Sequence, residues 1–276
     1  MELASAAKEL VVRLMIAFDR ASCATKGARS YQEDSALLWP GDDPFLPAAD
    51  GVRNGELVAI LADSMGGHAG GALASRTVCE AFANAFAAAD GDAHGRLIAA
   101  LSAANEAIAD KVNENPALSG MGSTLIGVVF SEDGAQWVSV GDSPLMLYRR
   151  GEIALLNEDH SLAPELDRMA EAGHISFEEA RRDPRRHMLR SAVTGEDIDL
   201  VDISRRPLPI EPGDYIILAS DGLQTLEAGE VERIVSAYAK DGAKAVAHAL
   251  IRAVEAVRDP HQDNATVVAV QAIEGA

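Results

Sequence analysis

The stretch Leu57–Gly71, LVAILADSMGGHAGG, carries an uninterrupted apolar run straight into one acid, Asp63, and then into four glycines. A continuous run of six apolar residues has the length and β-branched content of a strand buried on both faces, not of a half-exposed one. The small residues after it end that strand, and GALASRTVCEAFANAFAAAD reads as a helix by its three-to-four spacing. A buried strand that delivers a carboxylate to a loop is how a rigid scaffold presents a reactive side chain.

The same arrangement recurs along the chain. GDYIILASDGL ends on Asp221, WVSVGDS ends on Asp142, and RDPHQDNATVVAV places Asp263 just before a strand. ARSYQEDSALL puts Glu33 and Asp34 before another. One Asp beside Gly, Ser or Asn is an ordinary turn former. Five such sites suggest carboxylates gathered at strand ends, where they would repel one another and hold protons unless a cation lay among them. Clustered oxygen donors without thiolates suit hard divalent ions such as Mg²⁺ or Mn²⁺.

The rest of the chain frames this reading. AHGRLIAALSAANEAIADKVNENP reads as a second long helix closed by Pro116, followed by strands in STLIGVVFS, AQWVSVGD, PLMLYRRG and EIALLN. Their tight spacing predicts an antiparallel meander. Short helices are expected across an Arg-rich segment, 158–199, and strands in DIDLVDIS, DYIILASDG and NATVVAVQAI. Helices are read in EVERIVSAYAK and AKAVAHALIRAVEAV. Strands grouped in sheets and helices in pairs indicate an α+β layered sandwich of one domain.

The 276 residues carry a net charge of −19, which argues against nucleic acid and anionic lipid as partners, because both need Lys/Arg patches. Such a charge is either a solvated surface or acids collected around cations. Two cysteines make no disulfide framework, and no apolar stretch approaches a membrane span. A cytoplasmic protein is expected. The first residues, MELASAAKELVVRLMIAF, read as a short amphipathic helix entering a strand, with no basic start of a signal peptide.

Taken in order, RSYQED (29–34), ADSMGGH (62–68), GMGSTL (120–125), VSVGDSPLMLYRRG (138–151), LNEDHSL (156–162), AGHISFEEARRDPRRHMLRSAVTG (172–195), PGDYIILASDGL (212–223) and QDNATVV (262–268) resemble the PPM-type, or type 2C, metal-dependent protein phosphatases, the 172–195 segment most like their bacterial branch. The resemblance implies a four-layer αββα sandwich of two antiparallel β-sheets flanked by helix pairs. It implies a single phosphatase domain over 21–273, after an N-terminal extension of residues 1–20, with a flap at about 160–195. By the same resemblance Asp63 bridges two metal ions, Asp221 and Asp263 complete one site, and the main-chain carbonyl of Ser64 serves the other. Glu33 and Asp34 match acids that ligate directly or through water, and Asp142 with Asp221 matches a third ion site. Arg29 matches the arginine that grips the phosphate, for which a planar guanidinium fork is suited. The implied reaction is hydrolysis of phosphoserine and phosphothreonine in proteins, substrates of a Ser/Thr kinase, by a monomeric enzyme with a hydroxide held between two ions.

This chain departs from the family pattern at four places. Gln32 stands for Asn, Ser64 for Gly, Met65 for the His of members outside bacteria, and Pro144 for the Arg of GDSR. Ser64 keeps its carbonyl but restricts the backbone if the turn needs a positive φ. With Met65 in place, His68, His160 and His187 are the histidines to consider as proton donors, each expected to be structural. Two rival readings exist. The departures fit a pseudophosphatase that binds phosphoproteins without turnover. CATKGAR, Cys23–Arg29, fits the C-x₅-R loop of cysteine phosphatases, but that loop should open a helix, and SYQEDSALL reads as turn and strand.

Overall fold

The computed structural model describes residues 16–41, 55–65 and 70–275. The helix expected in the first residues, most of the loop that follows Trp39, and His68 lie outside the described residues.

Among the described residues, ten strands form two five-stranded sheets. One contains β1 (Ile16–Thr25), β6 (Leu145–Arg149), β7 (Glu152–Leu155), β9 (Tyr215–Ala219) and β10 (Ala265–Glu274), in the order β1-β10-β9-β6-β7. The other contains β2 (Ser35–Trp39), β3 (Leu57–Ala62), β4 (Leu125–Ser131), β5 (Gly134–Val140) and β8 (Asp202–Ile203), in the order β2-β3-β4-β5-β8. All pairings are antiparallel. Helices α1 (Gly71–Ala88) and α2 (Ala93–Glu114) cover the second sheet, and α5 (Ala228–Tyr238) and α6 (Ala243–Val257) cover the first. Between β7 and β8 lie α3 (Ala163–Glu171) and α4 (Phe177–Arg182).

The apolar run of β3 is explained by its two buried faces. Val58, Ile60 and Ala62 pack toward α1 and α2, while Leu57, Ala59 and Leu61 pack into the layer between the sheets. β9 divides the same way, with Tyr215, Ile217 and Ala219 toward α5 and α6, and Ile216 and Leu218 between the sheets. Successive side chains on opposite faces thus build three cores, and the four layers follow. α1 comes so close to β4 that a Cβ on Gly127 would lie 2.3 Å from the Phe82 ring.

Three expectations need revision. The four strands after α2 do not form one meander: β4–β5 and β6–β7 are hairpins in different sheets. The chain crosses from sheet to sheet at Gly141–Pro144, where Gly141 has φ +107°, a conformation side chains disfavour. β8 is only two residues long. β1 starts at Ile16, pairing Ile16 with Glu274, five residues before the boundary drawn at residue 21.

The segment 160–195 carries a small core of its own, Leu166, Ala170 and Ala180 with Leu162 and Ile175 against them. Three of its arginines are paired with acids of the same segment. Arg186 bonds Asp167 at 2.8 Å, Arg185 bonds Asp183 at 2.7 Å, and Arg182 bonds Glu178 at 2.9 Å. The segment closes at a neck where Leu162 N–H donates to the Met188 carbonyl and Arg190 N–H to that of His160.

Candidate active site

β3 stops at Ala62, and Asp63 is held by main chain on the neighbouring turn. Thr124 N–H donates to the Asp63 carbonyl at 2.7 Å, Ser123 Oγ donates to it at 2.8 Å, and Asp63 N–H donates to Thr124 Oγ1 at 3.0 Å. Thr124 Oγ1 also bonds Ser143 Oγ at 2.8 Å, which links the Asp63 turn to the one that carries Asp142. Asp221 follows β9, and its N–H donates to Asp63 Oδ2 at 3.3 Å. Asp263 precedes β10. The acids therefore come from both sheets and meet where the sheets' ends converge.

They line one cavity of about 230 Å³. Arg29, Glu33, Asp63, Ser64, Asp142, Asp221 and Asp263 are all in its wall. Asp34 is set behind it, carboxyl to carboxyl with Asp63, its Oδ2 accepting from Ser220 Oγ at 2.9 Å and Thr266 Oγ1 at 2.7 Å. Seven of the eight residues singled out from the sequence thus reach the wall, and the eighth, Asp34, stands against it.

The electrostatics of the cluster are unfavourable without a cation. Burial first, then Asp34 and Asp221, push the Asp63 carboxyl well above the usual carboxylate range. Burial also raises Asp34, and burial with Asp263 raises Asp221. Asp142 is pushed up to about 7 by burial, Asp221 and Asp159. Glu33 Oε1 and Asp34 Oδ1 are buried and accept no hydrogen bond. Among the described residues in the wall, Arg29 and His187 alone can carry positive charge. Buried, mutually repelling oxygen donors with vacant lone pairs match hard divalent ions. No three of them already close into a cage among the described residues. That openness suits ions that keep several water ligands.

The departures from the family pattern are accommodated. Ser64 makes an isolated bridge with Ser123, and Met65 N–H donates to the Gly122 carbonyl at 3.0 Å. Among the described residues only Arg150 and Arg258 are non-glycines with positive φ, so the turn does not ask of Ser64 what only glycine gives. Gln32 Nε2 donates to Thr266 Oγ1 at 3.0 Å, and so supports Asp34 through that hydroxyl. Arg29 is paired with Asp263 at 2.5 Å, both about two-fifths exposed.

Of the histidines, His160 is structural. Its Nδ1 accepts from Gly141 N–H at 3.2 Å, and burial lowers its pKa. His187, expected to be structural too, lines the cavity. Cys23 lies within β1, its thiol pushed up by burial, and Gly27–Tyr31 forms a turn, so no helix follows the C-x₅-R match. Sequence reasoning missed the supporting residues. Besides Thr124 and Ser143, Asn264 takes the Glu33 N–H on Oδ1 at 2.7 Å and donates to the Lys26 and Tyr31 carbonyls. Their only signal was position, as small polar residues at strand ends.

A family profile described as Protein phosphatase 2C matches residues 39–259. The chain belongs to the protein phosphatase 2C family. It is 34% identical over 226 residues to the serine/threonine protein phosphatase PstP of Mycobacterium tuberculosis, covering 82% of this chain and 42% of that protein. It is 31% identical to protein phosphatase PhpP of Streptococcus pneumoniae over 67% of this chain and 74% of the relative. The catalytic domain of PstP in complex with two manganese ions superposes with a TM-score of 0.71 at 29% identity, over 94% of this chain and 100% of that one. The chain spans about two-fifths of the length of the first curated relatives it matches. The type 2C likeness confirms the two-sheet αββα fold.

Proposed function

We propose that this chain is a Mg²⁺- or Mn²⁺-dependent phosphatase that hydrolyses phosphoserine and phosphothreonine in proteins. The observation that carries the reading is the cavity itself, in which buried carboxylates with unpartnered oxygens face one arginine fork. Asp63 would be shared by two ions, with Asp221 and Asp263 on one and the Ser64 carbonyl on the other. Glu33 and Asp34 would back them, and Asp142 with Asp221 would hold a third. When bound, such ions supply an activated water and offset charge on the phosphoryl oxygens.

The chain's own groups do the rest. Arg29 can turn its guanidinium from Asp263 to two oxygens of the phosphoryl group, a bidentate contact that fixes its orientation. The Thr124–Ser143 hydroxyl pair keeps the Asp63 and Asp142 turns at fixed separation. His187 stands where a proton could be given to the departing serine or threonine oxygen. Homologues named as Ser/Thr phosphatases support the substrate class. A cavity completed within one chain supports a monomer. The two free cysteines support a reducing, cytoplasmic setting in which Ser/Thr kinases generate the substrates.

The test is Mn²⁺-dependent release of phosphate from p-nitrophenyl phosphate and from a phosphothreonine peptide, with Asp63→Asn as control. Calorimetric Mn²⁺ binding without turnover of either substrate would instead establish the pseudophosphatase.

A further inference from the structure

A second concavity, a groove of about 550 Å³, opens beside the cavity. Its floor is apolar and buried: Met146, Leu223, Leu226 and Val231. Its outer wall is β7, the edge strand of the first sheet among the described residues, where Leu155 is 66% exposed. No Lys, Arg or His is among the described residues that line it, whereas Asp159 and Glu227 stand exposed on its rim.

The groove and the cavity are joined through the backbone. Pro144 lies two residues after Asp142, and Leu223 two after Asp221, and each pair puts one member in each wall. Two residues span at most about 7 Å, so the groove begins within two or three residues' reach of a bound phosphoryl group. Asp159 on the rim is near enough to Asp142 to raise its carboxyl. Pro144 itself stands where the family pattern has an arginine, so this lip is apolar and carries no positive charge.

We propose that the groove holds the substrate chain flanking the phosphorylated residue, and selects phosphoproteins with a large apolar residue and a Lys or Arg two to four positions away. This rests on the phosphatase reading above. An extended segment places alternate side chains on one face, so one apolar anchor can enter the floor while a basic neighbour meets Asp159 and Glu227. In the Arg-rich 160–195 segment, Arg182, Arg185 and Arg186 are paired with acids of the same segment, which lessens its pull on acidic peptides.

The experiment compares two phosphothreonine peptides identical except for Leu and Lys, or Ser and Glu, at the flanking positions. The kcat/KM ratio should favour the first by about tenfold or more. Leu155→Asp should bring the ratio close to one, and Pro144→Arg should shift it toward the acidic peptide. p-Nitrophenyl phosphate, too small to reach the groove, should be hydrolysed by Leu155→Asp as by the parent. No turnover of any substrate by the parent protein would overturn the phosphatase reading. Equal turnover of both peptides, or an unchanged preference in Leu155→Asp, would overturn the groove alone. So would a dimer in size-exclusion chromatography that Leu155→Asp dissociates without changing the preference, since the groove would then serve self-association.

Discussion

Gly71 opens α1 with no side chain, and the reason is the carboxylate packed against it. A Cβ there would lie 2.2 Å from Glu33 Oε1, 3.0 Å from Glu33 Cδ and 2.8 Å from Ser64 Oγ. Gly71 has an ordinary φ, so Gly71→Ala tests space and not backbone freedom. Ordinary contact needs about 3.4 Å or more, so the Glu33 carboxyl must retreat by about 1 Å. Glu33 is buried and its backbone N–H is tied to Asn264, which leaves the side chain little room to yield. Overpacking of this kind costs about 1–3 kcal/mol, against which the helix propensity of alanine returns at most about 1. If Glu33 supports the metal site, a shifted carboxylate should weaken Mn²⁺ binding by about 10–100-fold, the range seen when supporting residues of metal sites are disturbed. Isothermal titration calorimetry measures this without turnover. Urea denaturation of Gly71→Ala, Glu33→Ala and the double variant should show a coupling of about 0.5–3 kcal/mol, because removing the carboxylate relieves the clash. Parent-like Mn²⁺ affinity and additive stabilities in this cycle would refute the argument.

Three further outcomes are expected. In chelator, thermal stability should fall as pH rises through about 7. Asp142 and Asp63 hold protons in the folded state that the unfolded chain releases near pH 4, so their contribution is full below that range and lost through the folded values. Mn²⁺ should remove the fall, and Asp142→Asn should flatten it, as read by melting temperature against pH. Thr124→Val keeps the shape but strands Asp63 N–H and Ser143 Oγ. Urea denaturation should show a loss of about 2 kcal/mol. His187→Ala should slow phenyl phosphate, whose leaving group needs a proton, by about 10²-fold or more, and p-nitrophenyl phosphate much less. Equal slowing of both would remove His187 from that role.

What the sequence made legible follows from periodicity. Strands buried on both faces, such as β3 and β9, leave continuous apolar runs, and the acids at their ends are conspicuous because they interrupt them. The hand-over between sheets at Gly141–Pro144 was not legible, because two hairpins in different sheets share the spacing of one meander. Nor were the pairings that decide what free charge remains. Arg29 with Asp263 lies 234 residues apart in sequence, and Arg186 with Asp167 looks from composition like part of a basic surface. Thr124, Ser143 and Asn264 act through hydrogen bonds to backbone or hydroxyl, which leave no periodic trace.

The segment between His160 and Arg190 has a consequence for engineering. It brings its own small core and pairs three of its arginines with its own acids, and it joins the sandwich at a neck closed by the Leu162–Met188 and Arg190–His160 main-chain bonds. A piece of chain so self-contained is an exchangeable cassette. Cut at that neck and replaced by the equivalent stretch of a relative, it should leave both sheets intact and exchange the part of the cavity wall that His187 and Leu189 form.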